Sequence, residues 1–281
     1  MKNLSLLVCV ILLAATPVLA QLDMPQPSPL STVSQKVGLT DVTVVYSRPS
    51  MRDRTIMGEL VPYGELWRTG ANQATKVSFS DEMMVAGQKV PAGDYALFTI
   101  PDKEEWTVVL NKNTDQGGTG SYKEEEDALR VQVPSSTTDD TYQTFTVGFS
   151  DLTETGANMD VIWENTKVAI PLEDPNVDSK VMAQIDEQMA DAGDDAGLYF
   201  QAANYYYTMD KDMQQAQEWI DKAISLDDSK FWMLHLQAKI HAKTENYEQA
   251  KAAAQKSMEL AKENDNQDYV RLNEKLLESM N

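Results

Sequence analysis

Cysteine and histidine are scarce in this 281-residue chain, which has one cysteine and two histidines. A single cysteine, Cys9, excludes a disulfide framework and a zinc site built on cysteine. Because the histidines stand at positions 235 and 241, the residues before them hold neither a Ser–His or Cys–His catalytic relay nor a histidine-ligated zinc site of their own. We therefore expect no metal site and no cofactor.

Positive charge is also scarce: 24 lysines and arginines face 44 aspartates and glutamates, for a formal net charge of −20. A protein that binds nucleic acid needs a basic face that neutralises phosphates, so we expect no nucleic-acid partner. Binding to an anionic membrane surface is disfavoured for the same reason. The apolar fraction of 42% is nevertheless high enough for ordinary hydrophobic cores.

The longest apolar run lies near the N-terminus. Residues 4–15 are apolar and follow Lys2, and Val18-Leu19-Ala20 precede Gln21 as a cleavage site. The run is shorter than the roughly 20 apolar residues of a spanning helix, so it predicts a secretory signal peptide over residues 1–20. A retained N-terminal anchor is the alternative. We expect an exported protein of the periplasm or cell surface of a Gram-negative-type bacterium, without a transmembrane segment in the mature chain.

Residues 21–30 carry alternating prolines, at positions 25, 27 and 29, and are predicted to form a Pro-rich linker or extended arm. Residues 31–174 follow with a period of two, as in Val42, Val44 and Tyr46. Roughly eight to ten short segments of this kind, separated by turns, predict an antiparallel β-sandwich or barrel. Near its end we expect four separate strands, over residues 129–133, 142–149, 159–163 and 168–172.

The composition changes after Glu173-Asp174-Pro175-Asn176, and residues 179–281 contain no proline. Alanine, glutamine, lysine, glutamate, methionine and leucine dominate there, which predicts an α-helical domain. Asp210 and Thr244 are predicted to be helix caps. We expect helices at about 179–191, 195–208, 210–226, 229–243, 245–262 and 266–279.

An internal repeat lies within these helices. Gln215-Ala216 matches Gln249-Ala250 at an offset of 34 residues. A 34-residue period of two helices resembles the tetratricopeptide repeat, although Asn204 stands in the first repeat where Ala238 fills a small-residue position in the second. The sequence predicts two degenerate repeats plus flanking helices, with a plain helical bundle as the alternative.

The resemblance to tetratricopeptide repeats implies a concave groove that binds a protein or peptide partner. The first helix of each pair would line this groove. The candidate partner-binding residues are Gln201, Tyr205, Trp232, His235, Lys239 and Lys243. Lys239 and Lys243 are four residues apart on one helical face and suit an acidic peptide end. In the alternative arrangement, the terminal helix at about 266–279 fills the groove itself.

Four of the six arginines in the chain fall between residues 48 and 68. Residues 48–76 have a net charge of +2, within a β domain (residues 21–178) of net charge −13. Since a guanidinium suits carboxylate, phosphate or sulfate, the segment is a candidate site for a small anionic ligand or glycan. Internal pairing of the arginines with carboxylates is the alternative. The candidate ligand-binding residues are Arg48, Arg54, Trp67, Arg68, Asn72 and Thr75.

Four motifs stand out in and after this segment: Tyr46-Ser47-Arg48-Pro49, Gly58-Glu59-Leu60-Val61-Pro62-Tyr63-Gly64, Trp67-Arg68-Thr69-Gly70-Ala71-Asn72-Gln73-Ala74-Thr75 and Pro91-Ala92-Gly93-Asp94-Tyr95. Together they resemble a family of secreted bacterial proteins catalogued as domain of unknown function 2911. The resemblance runs from about Ser28 to Leu172. It implies a secreted β-rich module of unestablished activity and identifies no catalytic residue.

Three functions are compatible with these patterns. The favoured one is an exported binding protein with a β-rich ligand module and a helical-repeat tail that binds protein. A hydrolase of envelope glycans that uses aspartate or glutamate, with the arginines as an anion clamp, is the second. A structural envelope adaptor that binds only protein partners is the third. We expect a binding protein rather than an enzyme.

Overall fold

The structure is a computed structural model that describes residues 24–280. The predicted signal peptide and Cys9 lie outside the described residues. The chain forms two compact units that divide between Pro175 and Asn176. The first unit is built from strands and the second from helices, so the expected antiparallel β domain followed by an α-helical domain is confirmed.

The first unit contains a large antiparallel sheet. Its strands are β1 (Leu30–Val37), β2 (Thr40–Ser47), β3 (Ala71–Phe79), β4 (Met83–Val85), β5 (Gln88–Val90), β6 (Gly93–Ile100), β7 (Glu105–Asn111), β8 (Asp127–Ser150) and β9 (Gly156–Glu173). They follow the order β1-β2-β3-β6-β7-β8-β9-β4-β5 across the sheet. Neighbours along the chain are thus mostly neighbours in the sheet, as in hairpin-connected β proteins.

The long strand β8 changes its partner along its length. Residues 127–134 pair with β7, and residues 135–150 pair with β9. The register between β8 and β9 shifts on both sides of Tyr142, and such irregularities bend a strand. The prediction of four separate strands in this region is therefore wrong, because β8 and β9 each continue through the polar residues between the predicted strands.

Buried side chains from all nine strands meet in one hydrophobic core. On β2, for example, Val42 and Val44 are fully buried, whereas Asp41, which precedes them, is exposed. One face of the sheet therefore supplies the core, and the sheet curves around it. The largest core side chains include Trp106, Phe145 and Trp163.

The polar loop after β7 covers the opposite face of the sheet. Ala96 and Phe98 of β6 form a second small cluster, against which Tyr122 of the loop packs. Within the loop, the buried Gln116 donates from Nε2 to Asn111 Oδ1 at 3.0 Å. β6 is consequently buried on both faces, which explains its continuous run of buried residues from Tyr95 to Thr99.

The second unit contains six helices. They are α1 (Val177–Met189), α2 (Ala196–Thr208), α3 (Met213–Leu226), α4 (Phe231–Lys243), α5 (Tyr247–Glu263) and α6 (Gln267–Glu278). The predicted helices match these within three residues at each end. Helices that are adjacent in the chain pack together, as α2 with α3 and α4 with α5.

Neither Asp210 nor Thr244 is the N-terminal cap of the helix that follows it, as their prediction as caps required. α3 begins after Asp212, whose side chain accepts from the backbone of Gln214 and Gln215, and α5 begins after Asn246. Asp210 instead follows α2 with a positive φ of 52°, and Thr244 ends α4. Both residues belong to the turns that close the preceding helices.

In the structure, the small-residue position of the first predicted repeat is occupied by an alanine. α2 and α4 begin at Ala196 and Phe231, 35 residues apart, whereas α3 and α5 begin 34 residues apart. The equivalent of Ala238 is therefore Ala203, not Asn204. Ala203 and Ala238 are both fully buried, and Asn204 is exposed. A buried alanine allows the neighbouring helix to approach closely.

None of the helices described between residues 24 and 280 is both long enough and apolar enough to span a membrane.

Candidate functional site

The predicted arginine segment borders a cavity of about 370 Å³ in the β unit. The cavity is lined by Pro27, Ser28, Pro49, Ser50, Arg52, Arg54, Leu60, Val61, Trp67, Arg68, Gly70, Ala71 and Trp163. Most of these residues come from the long connection between β2 and β3, which runs from residue 48 to residue 70. Long loops on a rigid sheet are common positions for binding residues.

A tight turn carries two of the arginines. Arg52 and Asp53 both have positive φ, 49° and 59°, and the Arg54 amide donates to Met51 O at 3.2 Å. This is the geometry of a type I′ turn, which non-glycine residues adopt at an energetic cost. The turn is attached to β8 through a hydrogen bond that the Met51 amide donates to Gln143 O at 2.8 Å.

Part of the hydrogen-bonding capacity of both turn arginines is used by the backbone. Arg54 donates from Nε to Met51 O and from Nη2 to Ser50 O, both at 2.8 Å. Arg52 donates from Nη2 to Pro27 O at 3.1 Å. These bonds orient the two exposed guanidinium groups at the rim and leave further N–H donors on each.

The turn that follows is held by a carboxylate. Glu164 of β9 accepts from the amides of Ile56 and Met57 at 3.3 and 3.0 Å. These bonds fix the start of the turn that contains Leu60 and Val61, where the Val61 amide donates to Ile56 O. The carboxylate of Glu164 is thus engaged by backbone amides.

Aromatic rings form the floor of the cavity. Trp67 stacks on Trp163 with ring centroids 5.9 Å apart and an interplanar angle of 20°. Phe145 and Trp106 meet the Trp67 ring edge-on at 5.2 and 6.2 Å. Trp67 is held to β6 by reciprocal backbone bonds with Thr99, so the floor is rigid.

A second strained segment fixes the position of Arg68. Thr69 has a positive φ of 52° and Gly70 a φ of 149°. The buried Thr75 hydroxyl donates to Thr69 O, and Trp67 Nε1 donates to Gly70 O at 3.2 Å. Backbone strain of this kind persists where the surroundings determine it, and it concentrates at binding sites.

Arg68 differs from the other three arginines of the segment. Its side chain is half-buried, and its Nε is fully buried without a hydrogen-bond partner among the described residues. In residues 24–280, the arginines that form ion pairs are Arg130 and Arg271. The predicted alternative, in which the arginines of residues 48–68 pair with carboxylates, is therefore absent from the described part of the chain.

Three of the six predicted ligand-binding residues line the cavity: Arg54, Trp67 and Arg68. Arg48 lies outside the lining, where it donates from Nε to Phe145 O at 3.2 Å and from Nη2 to Thr146 Oγ1 at 2.9 Å. Thr75 is buried behind Thr69. Asn72 is exposed and donates to Ser28 O and Ser47 Oγ at 3.3 and 3.2 Å.

The lining also contains residues that the sequence did not single out. Trp163 comes from β9, almost 100 residues after Trp67, and no local pattern connects the two. Pro27 and Ser28 belong to the predicted linker, whose carbonyls accept from Arg52, Asn72 and the Arg48 amide. The alternating prolines predict that this segment is extended, and the sequence contains no further sign that it borders the cavity.

The lining of the cavity combines cationic, aromatic and aliphatic side chains. Among the described residues that line it, none is an aspartate, glutamate, histidine, lysine or cysteine. Nor does the described part of the chain contain a group of three or more histidine, cysteine, aspartate or glutamate side chains placed to hold a metal ion. The cavity offers guanidinium donors, indole rings and aliphatic side chains.

The helical unit holds the six predicted partner-binding residues in three groups. Tyr205 donates to Asp178 Oδ1 at 2.9 Å, and Lys211 pairs with the same atom at 2.6 Å. The bonds from Lys211 and Tyr205 lower the pKa of Asp178, and burial is the main cause that raises the pKa of Tyr205. Gln201, one helical turn earlier, is exposed.

Lys239 and Lys243 lie against the same ring. Their Nζ atoms are 4.5 and 5.1 Å from the centroid of Tyr207, at cation–π distance. Lys243 also pairs with Asp210 at 2.6 Å, and burial lowers the pKa of Lys239. Trp232 packs edge-on against Phe231 at the start of α4.

His235 contacts the terminal helix α6. Its Nδ1 lies 2.8 Å from Asn273 Oδ1, and its ring meets Tyr269 edge-on at 5.4 Å. Asn273 is fully buried and donates to Ser257 Oγ at 2.8 Å. α6 therefore packs against His235, and this predicted partner-binding residue contacts the chain's own terminal helix.

The burial of His235 predicts a pH dependence. Burial lowers the pKa of His235 below its ordinary value of 6.5, and the Lys239 charge lowers this pKa further. The hydrogen bond to Asn273 Oδ1 opposes both effects. The unfolded chain then binds this proton more readily, so the contribution to stability is lost as the pH falls through about 6.5. We expect the melting temperature to fall between pH 7.5 and 5.5, and to fall less in His235→Gln. Identical pH profiles would contradict this expectation.

Comparison with known proteins places the β unit in one family. A model of the family described as protein of unknown function (DUF2911) matches residues 28–172, more than half of the chain. The match includes all the cavity-lining residues except Pro27. No curated protein and no solved structure matches the chain.

Proposed function

The chain belongs to the family of proteins of unknown function DUF2911, and we propose that it is an exported binding protein that holds a small anion in the arginine cavity. The observation that carries the proposal is that Arg68 lines the cavity while its guanidinium has neither an ion pair nor a hydrogen bond to the described residues. A guanidinium carries five N–H donors, which suit a carboxylate or a phosphate. An anion in the cavity would accept from the donors that face it.

The other cavity arginines support the same ligand chemistry. Arg52 and Arg54 stand at the rim with free N–H donors beside those that bond Pro27, Met51 and Ser50. Three guanidinium groups around one cavity raise the local potential in a unit of strongly negative net charge. An anion is therefore favoured over a neutral or cationic ligand.

The lining favours binding over hydrolysis. Glycoside hydrolysis with two carboxylates needs an acid and a base or nucleophile on either side of the scissile bond. The described lining contains neither aspartate nor glutamate. Arg52, Arg54 and Arg68 therefore line the cavity without a carboxylate among the other lining residues, which favours the binding hypothesis over the hydrolase hypothesis.

Export and a protein-binding tail complete the proposal. The apolar run before Gln21 supports a signal peptide and a location in the periplasm or at the cell surface. The matched buried alanines, Ala203 with Ala238 and Ala216 with Ala250, support two tetratricopeptide-like hairpins. Stacked hairpins of this kind bind proteins through a concave face.

The substitution Arg68→Gln tests the anion site. We expect the wild-type protein to bind inorganic phosphate in a calorimetric titration, and the variant to bind it roughly 10–100-fold more weakly, the equivalent of one or two charge-assisted hydrogen bonds. Because Arg68 has no ionic partner in the described chain, the variant should keep the melting temperature of the wild type without ligand. A lowered melting temperature with unchanged phosphate affinity would show that Arg68 is structural.

Arg48→Gln is the matched control. Arg48 lies outside the lining and bonds Phe145 O and Thr146 Oγ1, so its loss should lower the stability and leave the phosphate affinity within about twofold. If both variants weakened phosphate binding equally, the effect would come from net charge and not from the cavity.

A further inference from the structure

The arginine cavity has a nonpolar side as well as a charged one. The charged side is formed by Arg52, Arg54 and Arg68. The nonpolar side includes Pro27, Pro49, Leu60, Val61, Trp67 and Trp163. A ligand that is only an anion, such as inorganic phosphate, would leave this nonpolar side in contact with water.

The cavity has few side chains that recognise sugar hydroxyls. Its described lining contains no asparagine, glutamine, tyrosine, histidine or carboxylate. Its side-chain hydroxyls are those of Ser28 and Ser50, and Ser50 Oγ already bonds Thr144 Oγ1 at 3.1 Å. A bound sugar would bury several hydroxyls with too few partners, and each unpartnered hydroxyl costs free energy.

The volume of the cavity sets the size of the ligand. An engineered protein cavity of about 150 Å³ takes up benzene. The arginine cavity, at about 370 Å³, therefore accommodates one ring or a short branched chain together with a charged head group.

The exposure of Leu60 places part of the nonpolar side at the opening. Leu60 is 44% exposed, and it stands on the turn held by Glu164. A large apolar side chain fixed at the edge of a charged cavity gains stability when a nonpolar group covers it.

From these observations we infer that the ligand is an amphipathic anion: a carboxylate or phosphate head on a nonpolar body about the size of one ring. This inference rests on the proposed anion site. The head bonds the guanidinium of Arg68, which lines the cavity, and the free donors of Arg52 and Arg54. The body lies against Leu60, Val61 and the Trp67 ring.

Three phosphates with different bodies test the inference: one carries a nonpolar ring, one carries no body and one carries a sugar. Phenyl phosphate, inorganic phosphate and glucose 6-phosphate are titrated separately into the full chain by calorimetry. We expect phenyl phosphate to bind at least tenfold more tightly than each of the others, since burial of about 55 Å² of apolar surface is worth a factor of ten. Phenylacetate, which carries the same ring on a carboxylate, should also bind more tightly than inorganic phosphate.

Two leucine variants locate the nonpolar contact. Leu60→Ser should weaken phenyl phosphate severalfold more than it weakens inorganic phosphate. Leu152→Ser is the control, because Leu152 is 54% exposed and lies outside the cavity, and it should change neither affinity. Since both leucines are exposed, both variants are expected to fold.

The outcomes separate the two proposals. If none of the four compounds binds, the anion site itself is wrong. If inorganic phosphate or glucose 6-phosphate binds as tightly as phenyl phosphate in an Arg68-dependent way, the anion site stands and the amphipathic ligand is wrong. An unchanged preference in Leu60→Ser would also overturn the assigned nonpolar wall.

Discussion

Replacing Trp163 with alanine is expected to lower the free energy of unfolding of the β unit by about 3–5 kcal/mol. Trp163 is 2% exposed and belongs to the main hydrophobic core. Its ring stacks on Trp67 and meets Phe145 edge-on at 5.7 Å. The substitution would remove this packing and leave a void that the β-sheet cannot close by collapse.

The same substitution should abolish ligand binding. Trp163 lines the floor of the cavity, and it supports the Trp67 ring from below. Without this support, Trp67 and the neighbouring Arg68 lose their fixed positions, and a preorganised site loses affinity when its supports are removed. Urea denaturation followed by circular dichroism measures the stability, and calorimetry with phosphate measures the affinity.

Two further variants calibrate this result. Trp163→Phe keeps a ring in the stack and should lose less stability than the alanine variant. Tyr142→Ala removes an aromatic side chain that is 37% exposed on β8 and should change the stability by about 1 kcal/mol or less. A small effect of Trp163→Ala, equal to that of Tyr142→Ala, would contradict the described core.

Replacing Gly70 with alanine is expected to cost about 2–5 kcal/mol of stability, through backbone strain and steric overlap. Gly70 has a φ of 149°, a conformation that residues with a side chain rarely adopt. A Cβ there would lie 3.0 Å from Thr75 Oγ1 and 3.2 Å from Ser47 O. Ser47 O is a backbone atom of β2, so moving it away from the new Cβ would distort the strand.

Gly64→Ala is the matched control for Gly70→Ala. Gly64 also has a positive φ, 76°, but nothing lies within 4 Å of a Cβ built there. This variant should lose about 1–2 kcal/mol from strain alone. The comparison of the two unfolding free energies separates strain from overlap, and equal losses would show that the packing around Gly70 is looser than described.

The helices could be predicted closely because their signals are local. The change of composition after Pro175 and the spacing of apolar residues predicted all six helices within three residues. A constant period of 34 residues places Asn204 at the small-residue position of the first predicted repeat. α2 and α4 begin 35 residues apart. The packed helices show this one-residue difference, whereas the period of the sequence alone does not.

The strands β8 and β9 could not be predicted as continuous elements. Residues 134–141 are polar and include Pro134, so by themselves they indicate a break. They remain extended because the strand is paired on both sides of residues 138–141: Pro134 pairs with β7, residues 135–137 pair with β9, and pairing with β9 resumes at Tyr142. Pairing between distant segments overrides local preference in sheets.

The sequence by itself determined that the β unit is acidic with one basic segment, and that this segment carries four arginines. Only the tertiary structure decided which of these arginines has no protein partner for its guanidinium among the described residues. Arg48 is bonded by Phe145 and Thr146, 97 and 98 residues away along the chain, whereas the Nε of Arg68 is buried without a partner in the described residues. The physical reason is that hydrogen bonding depends on which distant backbone and side-chain acceptors the folded sheet brings within reach of each guanidinium.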